Sequence, residues 1–279
     1  MARSDQSLSM NAGLLVLRIG SGIALAMLFA WGRFPYASVV GISGHSWAVG
    51  LVGMCGVLTL CGFATRSAAG FLAVSMAWGA AWGMHVGQRP LEEPIRAAMF
   101  AVLYTALALT GPGTLSLESL MSRSAPARLD AGLLVLRLGA GLSLLGCFGI
   151  TKIGWVIALL QSPAPLSRSG FAQLIRSVGF PAPLLLACCA VLNETVTPLF
   201  VISGFLTRVA ATIGALGMAG AMYTSLRIGE EPVRAALYVV AFATLALTGA
   251  GQYSADGILE IKSASDASLA TPLPLEARE

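Results

Sequence analysis

Charged side chains are scarce in this sequence: they make up 11% of its 279 residues, against 56% hydrophobic ones. A water-soluble domain carries roughly 25% charged residues because its surface faces solvent. The scarcity excludes an ordinary soluble globule and leaves lipid to wet most of the outside. The net charge of +4 is small and scattered. No basic stripe is present, so no nucleic-acid partner is expected. Histidine is nearly absent. A membrane haem commonly takes axial histidines, and only His45 and His85 exist; at the later repeat offset Tyr223 stands in place of His85. No metal site is expected. The five cysteines include no Cys-x-x-Cys pair. Cys55 and Cys61 sit six residues apart on one helix, a rise of about 9 Å, too far for a disulfide. All five read as small hydrophobes. A dinucleotide fingerprint, a P-loop and a nucleophile elbow are also missing, so no catalytic residue is identified and enzymatic activity stays open.

Long apolar runs are abundant. Crossing about 30 Å of hydrocarbon takes roughly 20 helical residues. Eight candidates lie near residues 12–31, 47–63, 68–86, 97–112, 131–160, 183–203, 209–227 and 235–251. The 32 glycines suit packed membrane helices, where small residues let backbones approach. The first run resembles a signal peptide. Arg18 interrupts it, however, and nearly the same segment recurs in mid-chain.

That recurrence organises the chain. AGLLVLRIGSG at 12–22 returns as AGLLVLRLGAG at 131–141, an offset of 119. Gly62-Phe63-Ala64-Thr65-Arg66 matches Gly204-Phe205-Leu206-Thr207-Arg208 at offset 142, and Glu92-Glu93-Pro94-Ile95-Arg96 matches Glu230-Glu231-Pro232-Val233-Arg234 at offset 138. Collinear matches of this kind mark an internal repeat. The expected fold is all-α and integral to the membrane: two tandem four-helix bundles with about eight transmembrane helices. Residues 1–125 form a shortened first repeat, 126–256 a near-complete second repeat, and 257–279 a flexible polar tail. An even helix number per copy makes the repeats parallel, related by an axis along the membrane normal. The jump in offset from 119 to 142 places an insertion at roughly 161–182. Phe171, Leu174, Ile175 and Val178 share one helical face there, which fits either a short interfacial amphipathic helix or a polar loop with apolar anchors.

The second copy resembles the DoxX family of small four-helix membrane proteins. The resemblance is carried by Leu133-Leu134-Val135-Leu136-Arg137-Leu138-Gly139, Lys152, Gly179-Phe180-Pro181, Glu194, the Gly204–Arg208 turn and the ending Gly249–Asp256. It implies a bacterial cytoplasmic membrane protein with a cytoplasmic N-terminus. It also implies a link to membrane redox chemistry, including thiosulfate:quinone oxidoreductase and thiol or oxidative-stress complexes. No cofactor motif is evident; a bound quinone is the cofactor such a link implies. Lysines and arginines divide almost evenly between the two sides of the membrane, so the positive-inside rule does not decide the orientation.

Ionisable groups within hydrocarbon are expensive and are functional candidates by default. Arg137 sits about six residues into its helix and Glu194 about nine from the far end of the next, depths of roughly 9 and 13 Å. The expectation is an intramembrane pair of Arg137 with Glu194, joined by Asn193 and by Thr195 or Thr197. It forms either a pocket for a quinone headgroup, anion or proton, or a device that fixes helix packing. Arg18 lacks an acid in its own copy, because Val52 occupies the aligned position. It is left to snorkel, to bond free carbonyls or to reach the other copy. Lys152 is a further candidate for that pocket. With its counterpart Arg33, it also reads as a cation near a helix C-terminus. The loop charges Glu92, Glu93, Arg96, Glu230, Glu231 and Arg234 read as helix-start acids and their neighbours, or as a proton-uptake or metal-binding cluster. Gly214, Gly217 and Gly220 mark close helix contact.

Three functions compete. The first is a partner-dependent component of a quinone- or thiol/sulfur-linked redox membrane system. The second is a non-catalytic accessory subunit packed against a larger membrane complex or another copy of itself. The third is a small-solute transporter, which few membrane charges and no evident broken helix support least.

Overall fold

The computed structural model describes residues 2–30, 46–87, 92–121, 128–161 and 170–259. All regular structure among them is helical: α1 (Ala2–Ala30), α2 (Ser46–Cys61), α3 (Thr65–His85), α4 (Glu92–Thr110) and the short α5 (Leu117–Met121). Then come α6 (Leu129–Leu144), α7 (Ile150–Gln161), α8 (Gly170–Ser177), α9 (Pro183–Thr195), α10 (Thr197–Ser203), α11 (Thr207–Ile228) and α12 (Val233–Thr248). A π-helical turn, Leu145–Gly149, joins α6 to α7.

Four described stretches are long and apolar enough to cross a membrane: Ser7–Ala30, Leu129–Gly149, Pro183–Ser203 and Thr207–Ile228. Val49–Cys61 and Val233–Thr248 are apolar but shorter. This is half the expected eight. Among the other candidates, α4 carries Glu92, Glu93 and Arg96 in its first turn, which leaves it a shorter apolar segment. The outward faces are apolar, with Val74 72% and Leu185 62% exposed. Only lipid or a partner makes such a surface favourable.

Four helices form the centre. Helix α1 packs mainly on α12, and α6 mainly on α4. Glycines set both contacts. Gly13 and Gly20 of α1 lie against Thr248 and Val240, while Gly132 and Gly139 of α6 lie against Thr110 and Val102. A side chain at any of the four positions would collide. Large side chains with no exposure fill the space between, including Leu17, Leu136, Phe100, Tyr104, Leu237 and Phe242. The outer helices follow: α3 lies on α4, α11 on α12, α2 on α1 and α3, and α10 on α6 and α11.

The insertion contains a helix. In α8 and the turn after it, Ala172, Ile175 and Val178 are buried while Gln173, Arg176 and Ser177 are exposed. Ala172 and Ile175 pack onto Ala187 and Val191 of α9. The amphipathic reading is therefore the one the fold adopts. Residues 162–169 of that insertion, and the tail from 260 onward, lie outside the described residues.

A candidate intramembrane pocket

Arg18 and Arg137 occupy matching places, and neither forms a salt bridge with a carboxylate among the described residues. Arg18 donates to the carbonyls of Pro112 at 3.0 Å and Leu115 at 2.6 Å. Arg137 donates to those of Ala250 at 3.1 Å and Tyr253 at 2.5 Å. Both sets of acceptors lie just past a helix end, where carbonyls lack helical partners. Gly62 and Gly204 make room for the guanidinium groups, since a methyl group on either would sit 2.5 Å from the arginine Nη1. Their φ angles of 70° and 69° also suit glycine. An acid completes each arrangement. Glu118 accepts from the Thr65 N–H, and Asp256 accepts from the N–H groups of Leu206 and Thr207. The backbone N–H groups of the two acids donate to Gly62 and Gly204, both at 2.9 Å. The equivalence of Glu118 and Asp256 was available at the 138-residue offset, but weak local identity obscured it.

The expected Arg137–Glu194 pair does not form; Glu194 pairs with Lys152. Side chains on a helix lean towards its N-terminus. Arg137 therefore leans back to the start of α6, away from Glu194. Lys152 lies roughly 22 Å further along at 1.5 Å per residue. It leans back towards mid-membrane, while Glu194, on an antiparallel helix, leans towards it. Lys152 is consequently no helix-end cation, because α7 continues to Gln161. Its ammonium also stands 4.8 Å from the centre of the Phe171 ring.

Backbone irregularities surround this pair. Helices α9 and α10 break at Val196, contrary to the expectation of unbroken helices, because Pro198 has no N–H to offer the Glu194 carbonyl. Gly149, at the end of the π turn, lies directly against that carbonyl. π turns recur at functional positions in α-helices. Thr197 donates to Asn193 Oδ1 at 3.1 Å, whereas Thr195 bonds back to Val191 in its own helix. Asn193 is 5% exposed, and its Nδ2 has no hydrogen-bond partner among the described residues. The amide rests against Gly217, where any side chain would displace it.

Phe171, Asn193, Glu194 and Gly217 border a cavity of about 480 Å³ between α8, α9 and α11. Its walls are mostly apolar, with Phe171, Phe180 and Leu186 on one side and Ile213, Leu216 and Met218 on the other. The polar atoms it offers come from Asn193, Glu194, Cys189, Thr224, Ser225 and Glu230. An apolar chamber with a few convergent polar groups has the character of a small-molecule site. A buried amide donor, a carboxylate and an ammonium can bind a carbonyl-bearing ring and exchange protons with it.

The pocket coincides with the part of the chain that has known kin. Residues 132–226 match the DoxX family model. That DoxX domain runs from α6 into α11 and holds Arg137, Lys152, Asn193 and Glu194. With the apolar helices, it marks an integral membrane protein. No curated protein and no solved structure matches the chain.

The remaining predicted residues lie elsewhere. Arg96 is buried between Glu93, at 2.6 Å, and Glu231, so it ties α4 to the start of α12. The loop acids thus do more than start helices. Arg234 stacks 5.2 Å from the Phe148 ring, and Glu230 lines the far end of the cavity. The side chain of Glu92 lies outside the described residues, as do Arg33 and His45. Val52 is buried at the position aligned with Glu194. Cys189 reaches the cavity one helical turn before Asn193, and no sequence pattern marked it.

Proposed function

We propose that the chain is a tandem duplication of the DoxX-type four-helix unit, with two parallel repeats and eight membrane crossings. It works as a partner-dependent component of a redox system in the bacterial cytoplasmic membrane, with its N-terminus in the cytoplasm. The second repeat holds a quinone-type ring in the α8–α9–α11 cavity. One ring carbonyl accepts from Asn193 Nδ2 once that amide turns out from Gly217, and the Lys152–Glu194 pair lies alongside. The observation that carries this reading is an apolar cavity lined by both Glu194 and Asn193, whose Nδ2 is held against Gly217 without a hydrogen-bond partner among the described residues. Such a donor costs about 1–3 kcal/mol unless an acceptor meets it. The duplication rests on the matched Arg18–Gly62–Glu118 and Arg137–Gly204–Asp256 arrangements.

The second reading, a non-catalytic accessory subunit, draws on Val52, which removes the acid from the first repeat. Gentle purification followed by mass spectrometry of bound proteins and lipophilic molecules separates the two. The redox reading expects a quinone that co-purifies with the chain and is lost in Asn193→Leu. Partner subunits without any quinone, in both proteins, favour the accessory reading.

A further inference from the structure

The cavity does not end at the ion pair. Its lining follows one face of α11 from Gly217 past Gly220 and Thr224 to Ile228, then reaches Glu230. From Gly217 to Ile228 the helix rises about 16 Å. Glu230 is exposed and follows Gly229, which ends α11 with φ 75°. That end therefore lies at a polar membrane face. The passage stays open where its α11 wall carries the small residues Gly217, Gly220, Ala221, Thr224 and Ser225. A side chain added at Gly220 would meet nothing within 4 Å, so the glycine does not serve the close helix contact its spacing suggested. Polar atoms are spaced along it. The Thr224 hydroxyl donates to the Gly220 carbonyl at 2.9 Å and keeps its lone pairs for an incoming donor. Ser225 follows. At the inner end Glu194 is on the lining, and its side chain keeps 11% of its exposure while paired with Lys152. Water in a cavity needs two to four polar partners, and these groups supply them.

We propose that this cavity is a water-filled cleft that gives Glu194 access to protons from the membrane face, with Glu230 at its mouth. A proton from bulk water passes along hydrogen-bonded water beside Ser225 and Thr224 to the Glu194 carboxylate and leaves by the same route. Lys152 on α7 faces Glu194 directly, and Tyr238 of α12 is within electrostatic range. Lys152 offsets the charge of Glu194, so Glu230 is the acid that makes the mouth favour cations. Use of the cleft to supply protons to a reacting quinone rests on the reading proposed above; the cleft itself does not.

Cysteine labelling of the full chain in membrane vesicles tests it. Cys55, Cys61, Cys147, Cys188 and Cys189 are replaced by Ala, and a single cysteine is introduced by Gly220→Cys, Thr224→Cys or, as a lipid-facing control, Val74→Cys. A membrane-impermeant cationic thiol reagent, added on the Glu230 side, should modify the first two at least about tenfold faster than the control. Adding Glu230→Gln should slow the cationic reagent and leave a neutral one unchanged. Labelling of all three only by a lipid-soluble reagent would overturn the cleft, and indifference to Glu230→Gln would overturn its mouth. Quinone retention without aqueous labelling sinks this inference alone. Aqueous labelling without quinone sinks only the redox reading.

Discussion

At the scale of single residues, the ion pair shows how a membrane interior makes charge conditional on geometry. Neither Lys152 nor Glu194 is tolerable there alone. Glu194→Ala or Lys152→Ala should therefore cost about 3–5 kcal/mol, as for a broken buried pair. The double change Lys152→Met with Glu194→Leu should restore most of the loss. Thermal melting in detergent checks both, and equal melting of all variants would show that the pair contributes nothing. Gly62 and Gly204 make a second case. Alanine at either meets both a left-handed backbone and an arginine, so the two substitutions should lower the melting temperature by similar amounts. The error in the expected pairing also belongs to this scale. Depth counted from helix ends put Arg137 and Glu194 level, but the lean of helical side chains towards the N-terminus separates them and brings Lys152 in.

At the scale of elements, irregular segments build the pocket: the π turn before α7, the break at Val196 and the added α8. Pro198 made the break readable in principle, since proline frees the carbonyl four residues earlier. The π turn left no comparable trace, because no breaker stands within Leu145–Gly149 apart from glycines common throughout the chain. The α8 face was legible from the spacing of Phe171, Leu174, Ile175 and Val178. The cavity was not, since it exists only where α8, α9 and α11 meet. The acid caps at the start of α3 and α11 yield a direct expectation. Glu118→Ala and Asp256→Ala each remove an acceptor from helix N–H groups, and each should cost about 1 kcal/mol in thermal stability. A far larger effect of Asp256→Ala would show that it does more than cap.

At the scale of the molecule, the two halves share one centre. Helix α1 lies on α12 and α6 on α4, so each half completes the other. Residues 1–125 and 126–279 produced as separate chains should each aggregate, and together they should recover a 1:1 complex that melts cooperatively. The recurring blocks are legible in the sequence, but this exchange of neighbours is not, because Gly13, Gly20, Gly132 and Gly139 do not announce which helix they face. The halves differ where function is proposed: Glu194 has its acid and its cavity, and Val52 has neither charge nor hydrogen-bonding group. The most direct test of that asymmetry is calorimetric titration of the detergent-solubilised chain with a short-tailed benzoquinone. The account predicts saturable one-to-one binding, weakened about tenfold or more by Asn193→Leu through loss of a hydrogen bond, in a protein that still melts like the wild type. Unchanged binding by Asn193→Leu, or no saturable binding by the wild type, would contradict it.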